Sequence, residues 1–264
     1  MKLGFIGAGN MGGAMMRGII AKGILKGNEI IASDPVKENV QKLNKECGIT
    51  AGKNNPDTVK KSDIVVLSIK PQYYEEAIHE IASHIKAEQI IVTIAPGKTL
   101  EWLTGQFGKP VKLVRAMPNT PAMVGEGITG ICRSDNVTDA ELEMIREIMS
   151  GFGIVEVIPE KLMDAVVAVS GSSPAFVFMF IESLADGAVA EGMPRAQAYR
   201  FAAQAVLGSA KMVLETGKHP AELKDMVCSP GGTTIDAVRT LEEYGFRSAV
   251  EEAVAVCAEK SRSM

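Results

Sequence analysis

The strongest constraint on the fold lies at the very start of the chain. A short apolar stretch, Lys2 to Ile6, runs directly into Gly7-Ala8-Gly9-Asn10-Met11-Gly12, and a helical pattern continues from Met11 to Lys22. G-x-G-x-x-G is a weak signal alone, but between a strand and a helix each glycine acquires a mechanical task. Gly7 permits the tight turn, Gly9 lets backbone approach a pyrophosphate, and Gly12 lets helix and strand pack closely. The helix amino end then offers free N–H groups to phosphate oxygens. Residues 7 to 12 are therefore read as a dinucleotide-binding loop, against the plainer reading of a glycine-rich packing turn.

The alternation continues beyond the loop. Glu29 to Ser33 is strand-like, Val36 to Glu46 helical, and Asp63 to Ile69 (DIVVLSI) a β-branched run suited to a buried strand. Tyr74 to Ile85 has helical spacing, and Gln89 to Ile94 and Val111 to Ala116 read as further strands. This rhythm predicts a doubly wound, Rossmann-like parallel sheet with helices on both faces. Ile128 to Cys132 and Ile154 to Ile158 are expected to extend it, with a helix from Asp139 to Met149 between them.

From about Lys161 strand signals vanish. Helices are predicted over Met163 to Val169, Pro174 to Glu191, Arg195 to Glu215, Pro220 to Val227, Thr234 to Tyr244 and from Phe246 onward. Gly192 and Gly217 read as carboxyl-terminal caps, Pro194 and Pro220 as helix starters. The chain thus divides into residues 1–160, a dinucleotide-binding domain, and 161–264, an all-α domain. Ala196 to Val213 is apolar around most of its circumference, more than one small domain can bury, so a homodimer or larger homo-oligomer is expected through these helices.

Composition excludes other classes. A net charge of −4 argues against nucleic-acid or acidic-membrane binding. Cys47, Cys132, Cys228 and Cys257 show no C-x-x-C spacing, and His79 and His84 lie five apart, so reduced thiols, no metal site and a cytoplasmic location are expected. The glycines break any signal-peptide core. The longest uncharged run, Ala165 to Ile181, is short for a membrane span and interrupted by Ser170-Gly171-Ser172-Ser173-Pro174, and reads as a buried helix after a tight turn.

Further site candidates lie where strands end. Ser33-Asp34-Pro35 closes the second strand: an acidic side chain accepts from a ribose 2′-OH and repels a 2′-phosphate, whereas a serine donates to that phosphate. Which of the two faces inward depends on register, and turn chemistry for Asp34 stays open. Lys70-Pro71 and Ala95-Pro96-Gly97 follow the next two strands, where open α/β sheets bind ligands. Lys70 is either a cation beside the cofactor or a solvated residue before a turn. Arg115 to Pro121 holds two prolines three apart, fixing an extended path, either as a wall of the nicotinamide pocket or for rigidity alone.

In the helical half, Cys228-Ser229-Pro230-Gly231-Gly232-Thr233-Thr234-Ile235-Asp236 carries the most chemistry. Thr233 is read as an N-cap with Asp236 at the reciprocal position, so that several N–H groups converge on one spot suited to a carboxylate. The plain alternative is an ordinary capped helix.

FIGAGNMG, SDIVVLSIKP, RAMPNTP, SGSSPAFVF, LADGAV and CSPGGTTIDAV occur in order across nearly the whole chain. Together they resemble the pyrroline-5-carboxylate reductase family. The resemblance implies a Rossmann domain followed by a helical dimerisation domain, NADPH as donor with NADH possible, and reduction of 1-pyrroline-5-carboxylate to proline, the last step of its biosynthesis. It implies that Ser229, Gly231, Gly232 and Thr233 hold the substrate carboxylate through backbone N–H groups, and that Thr234 bonds the ring nitrogen as the catalytic-site hydroxyl. Ser33 and Asn55 are implied as adenosine-phosphate contacts, Lys70-Pro71 as a nicotinamide-side contact, and Glu160 as a cofactor contact.

A β-hydroxyacid dehydrogenase has a similar first motif, but alcohol oxidation needs a general base. After Ser170-Gly171-Ser172-Ser173 no Lys or His occurs before Lys211. A non-catalytic dinucleotide sensor would have no need for the second loop. A protonated imine is already electrophilic, so its reduction is mainly an orientation task requiring no catalytic His or Cys.

Overall fold

The computed structural model describes every residue from Met1 to Met264. In chain order the strands are β1 Leu3–Ile6, β2 Ile30–Ser33, β3 Thr50–Ala51, β4 Ile64–Leu67, β5 Ile90–Thr93, β6 Lys112–Met117, β7 Gly127–Arg133 and β8 Gly153–Val157. Between them lie α1 Asn10–Ala21, α2 Lys37–Cys47, α3 Asn55–Lys60, α4 Tyr74–Ile81, α5 Leu100–Phe107 and α6 Asp139–Met149. The eight strands form one sheet in the order β3-β2-β1-β4-β5-β6-β7-β8. Chain order reverses at β1, so the carboxyl ends of β1, β2 and β4 border a topological switch point.

The sheet is parallel except where β6 meets β7, which run antiparallel with Arg115 opposite Cys132. The strand pattern by itself predicts an all-parallel extension. The connection Pro118 to Glu126 is too short for the crossover of about a dozen residues that parallel strands need, so the chain must double back. It is also not extended throughout, because Thr120–Val124 forms a 3₁₀ turn. From β7 to β8 the α6 crossover restores the parallel relation.

Every residue of β1, β2, β4 and β5 is buried, as a sheet covered on both faces requires. One apolar cluster gathers Phe5, Met15, Ile19, Ile145 and Phe152, and another Ile6, Val65, Ile78, Leu103 and Leu113.

The remaining helices are α7 Met163–Val166, α8 Ser173–Ala190, α9 Arg195–Thr216, α10 Pro220–Val227, α11 Thr233–Glu243 and α12 Phe246–Arg262. The tight turn expected at Ser170 to Pro174 is absent: Val167–Ser172 is a π-helical segment that joins α7 to α8. Proline at 174 has no N–H to return to the carbonyl four residues earlier, so the ladder widens. The freed Ser170 carbonyl accepts instead from Asn119 Nδ2 at 3.0 Å, and Asn119 Oδ1 accepts from the Ile128 amide at 2.9 Å.

By internal contacts the chain forms two units, residues Met1–Ser172 with Cys257–Met264, and residues Ser173–Val256. In the first, the returning segment is tied down by Ser261, whose Oγ donates to Asp164 Oδ1 at 2.6 Å, and Met264 lies against Gly97. The second unit has little interior of its own. Ala185, Ala198 and Ala202 form its buried cluster, while Phe178, Met179, Phe201, Leu207 and Leu214 are exposed. The helix read as buried is therefore largely bare within one chain. An apolar groove of about 460 Å³ between α8 and α9 is lined by Phe180, Leu184, Val206 and Val213 among others. Glu160–Ala190 is the one helical run long and apolar enough to cross a bilayer.

Candidate active site

The glycine loop is built around β1. Gly7 has φ +99°, and a Cβ there would lie 2.4 Å from the Ser68 carbonyl oxygen. At Gly12 a Cβ would meet the Gly7 carbonyl at 2.6 Å and Ser68 Oγ at 2.7 Å. Both glycines are demanded by the protein's own packing. Gly9 differs: its φ is −70°, a value any residue adopts, and a Cβ there would meet nothing within 4 Å. The fold has no use for glycine at 9, so the open space beside it suits a ligand that approaches the backbone. Helix α1 begins at Asn10 with no side-chain cap and no acidic residue in its first turn, leaving its positive end available to phosphates. These features fit a dinucleotide.

The rest of the expected cofactor set lies at the same edge of the sheet. The Gly7 amide donates to the Ser33 carbonyl at 2.8 Å. Ser33 is buried, and its hydroxyl donates to Asn55 Oδ1 at 2.8 Å. Asn55 is delivered by α3, an element that sequence periodicity does not reveal. Its start is fixed by Asn54, whose side chain accepts from the Asp57 amide at 2.8 Å, and by Pro56 in the first turn. Lys70, exposed, precedes a single 3₁₀ turn opened by Pro71. Ala95 is buried and Gly97 has φ +72°.

Two residues that sequence reasoning missed hold these loops. Ser68 Oγ donates to the Gly7 carbonyl at 2.6 Å. Tyr74, fully buried, donates to the Leu67 carbonyl at 2.6 Å and accepts from the Ile94 amide at 3.1 Å, pinning together the ends of β4 and β5. Burial pushes its hydroxyl well above the usual tyrosine range. The available signals were a serine closing a β-branched run and a tyrosine opening the next helix.

Glu160 is placed at the amino end of α5. Its Oε1 accepts from the Leu100 amide at 2.8 Å and from Arg115 Nη1 at 3.0 Å. It thereby anchors the helix that follows the Ala95–Gly97 loop. Arg115 is a buried cation, so the Glu160 carboxylate is the counter-charge it requires. Burial, helped by the Glu160 charge, pushes the Cys132 thiol opposite Arg115 up to about 12.

In the second unit, Ser229 to Gly232 forms a turn closed by the Gly232 amide donating to the Ser229 carbonyl at 3.0 Å. Gly231 has φ +66°, and a Cβ on Gly232 would strike Ser229 Oγ at 2.4 Å. The N-cap of α11 is Gly232, not Thr233 as expected, and no side chain caps the helix. The turn ends one residue earlier than the cap chemistry suggests, which makes Thr233 the first helical residue and Thr234 the second. No side chain is hydrogen-bonded as a cap at the start of α11, and Thr234, half-buried, lies in its first turn.

No three His, Cys, Asp or Glu side chains lie together where they would hold a metal ion, and the four cysteines are unpaired. A glycine loop at the switch point of a doubly wound sheet, leading into an uncapped α1, marks the class of nicotinamide-dependent oxidoreductases. Residues 2–97 match the family model described as NADP oxidoreductase coenzyme F420-dependent, and residues 160–264 match pyrroline-5-carboxylate reductase dimerisation. The chain is 50% identical to the Escherichia coli pyrroline-5-carboxylate reductase, over 100% of this chain and 98% of that one. A Plasmodium falciparum pyrroline carboxylate reductase solved with NADP bound superposes with a TM-score of 0.91 at 33% identity, covering 100% and 97% of the two chains. The Coxiella burnetii pyrroline-5-carboxylate reductase gives 0.93 at 30% identity, over 99% and 97%. The chain belongs to the pyrroline-5-carboxylate reductase family.

Proposed function

We propose that this chain reduces the C=N bond of 1-pyrroline-5-carboxylate to give L-proline, with NADPH as donor and NADH usable. The observation that carries the reading is the uncapped amino end of α11 behind the Ser229–Gly232 turn, an anion seat the fold itself leaves unfilled. The turn and the first α11 amides hold the substrate carboxylate, and the Thr234 hydroxyl bonds the ring nitrogen. Residues 7 to 12, Ser33, Asn55, Lys70, Pro71, Ala95, Gly97 and Glu160 hold the cofactor, and Glu160 also anchors the helix after the Ala95–Gly97 loop. The bound dinucleotide supplies the hydride. The protein's contribution is orientation: it holds a charged imine carbon at near-attack distance, and no general base is needed.

Residues 1–160 serve as the dinucleotide-binding domain and 161–264 as the dimerisation and substrate domain, in keeping with a dimerisation match that begins at residue 160. The bare apolar faces of α8 and α9 are covered by a second copy of the chain rather than by lipid. Unpaired thiols suit a cytoplasmic location. Oxidation of NADPH or NADH on addition of pyrroline-5-carboxylate, with proline identified as product, tests the reading. Cofactor binding without turnover would instead make the chain a sensor.

A further inference from the structure

The polar side chains at the end of β2 form a chain whose direction is set from outside. Glu80, exposed on α4, carries a carboxylate that only accepts hydrogen bonds when ionised. The Asn55 atom 2.7 Å from Glu80 Oε2 is therefore the amide nitrogen Nδ2. Asn55 must then turn its carbonyl Oδ1 toward Ser33, and Ser33 commits its single hydroxyl proton to that oxygen at 2.8 Å. What Ser33 has left to offer a ligand is lone pairs.

A 2′-phosphate needs donors, whereas a ribose 2′-OH can donate to those lone pairs. We propose that Glu80 is a specificity-determining residue: by directing the Ser33–Asn55 chain toward itself it restrains affinity for the 2′-phosphate and keeps NADH a competent donor. To serve a phosphate, Ser33 must give up Asn55, or the Asn55 amide must turn over and set its carbonyl oxygen against the Glu80 carboxylate. Either change loses a hydrogen bond that binding of the unphosphorylated dinucleotide retains. The inference rests on the reading of Ser33 and Asn55 as adenosine-phosphate contacts.

Glu80→Gln keeps the shape and lets the side-chain amide donate to Asn55, so that the chain can run in the opposite direction. Calorimetric titration of both proteins with ADP and with 2′-phosphorylated ADP reads the phosphate contribution without turnover. Kinetics with NADPH and NADH follow on the same samples. We expect the preference for the phosphorylated ligand to rise about fivefold, the size of one neutral hydrogen bond. The change should appear in the NADPH KM while the KM for the imine stays constant. A folded Glu80→Gln protein with an unchanged or lowered preference overturns the proposal. Ser33→Ala and Asn55→Ala tell the two levels apart. If they shift the preference and Glu80→Gln does not, only the role of Glu80 falls; if neither shifts it, the phosphate-site reading falls as well.

Discussion

The Asp34 carboxylate is bonded to the Ala8 amide, 2.6 Å from its Oδ2, while Oδ1 takes the Val36 amide at 2.8 Å. Both oxygens thus serve the backbone, one at the glycine loop and one at its own turn. Asp34 thereby orders the loop. Asp34→Ala should weaken NADPH and NADH alike by about tenfold, the loss of one hydrogen bond to a charged group, leaving their ratio unchanged. Calorimetry with both dinucleotides checks this. A selective gain for NADPH would show that the carboxylate faces the ribose.

The contrast between two glycines gives a second expectation. Gly9→Val leaves the fold intact, because its Cβ has open space, yet cofactor affinity should fall by about tenfold or more as the side chain enters the pyrophosphate's place. Gly12→Val should instead unfold or strongly destabilise the protein, since its Cβ would collide with the Gly7 carbonyl. Thermal melts and NADPH titration of the two variants separate the cases. Tight NADPH binding by folded Gly9→Val removes the loop assignment.

Thr234 offers the sharpest test of the substrate site. No side chain caps α11, so Thr234→Val removes a hydroxyl that the helix does not need, and Tm should barely change. The loss of one hydrogen bond to a charged imine should lower kcat/KM by about ten- to a hundredfold, roughly 1.5–3 kcal/mol. NADPH affinity should stay the same. A stable variant with unaltered kcat/KM would reduce Thr234 to a helix residue.

Assembly is tested on α9. Phe201 and Leu207 are 67% and 56% exposed in a single chain, far beyond what isolated surface side chains explain. Light scattering should show at least a dimer at assay concentration. The double substitution Phe201→Asp with Leu207→Asp should yield monomers and abolish turnover. An active wild-type monomer would contradict the proposed role of the helical half.

Elements with strong periodicity are legible in the amino-acid sequence itself. β1, β2, β4 and β5 fall inside their expected runs, and α6 and α10 coincide with theirs. What escapes is short or decided by geometry. β3 has two residues and α3 six, too few for a period to emerge, although Asn54 before Asn55-Pro56 is a cap followed by a helix-starting proline. The reversal of β7 is written in connection length rather than in hydrophobicity. Thr233 stands one position past the true cap because Gly232 takes that place, and cap side chains alone do not report where a turn ends. Ser33 can be picked out at a strand end and Asn55 only through the family resemblance, while Glu80, hydrogen-bonded to Asn55, lies on another helix and carries no signal of its own.

The seat of Met264 on Gly97 bears on how the protein is made. The first unit is discontinuous, for residues 257–264 complete a body that residues 1–172 begin. During synthesis residues 1–172 of this unit emerge first, and the places for Ser261 and Met264 can be filled only after residues 173–256 have left the ribosome. Its final consolidation is a late and non-local event. A fragment cut after Ser172 would lack that last step, and the Gly97 loop, its partner missing, is where such a fragment would be soft.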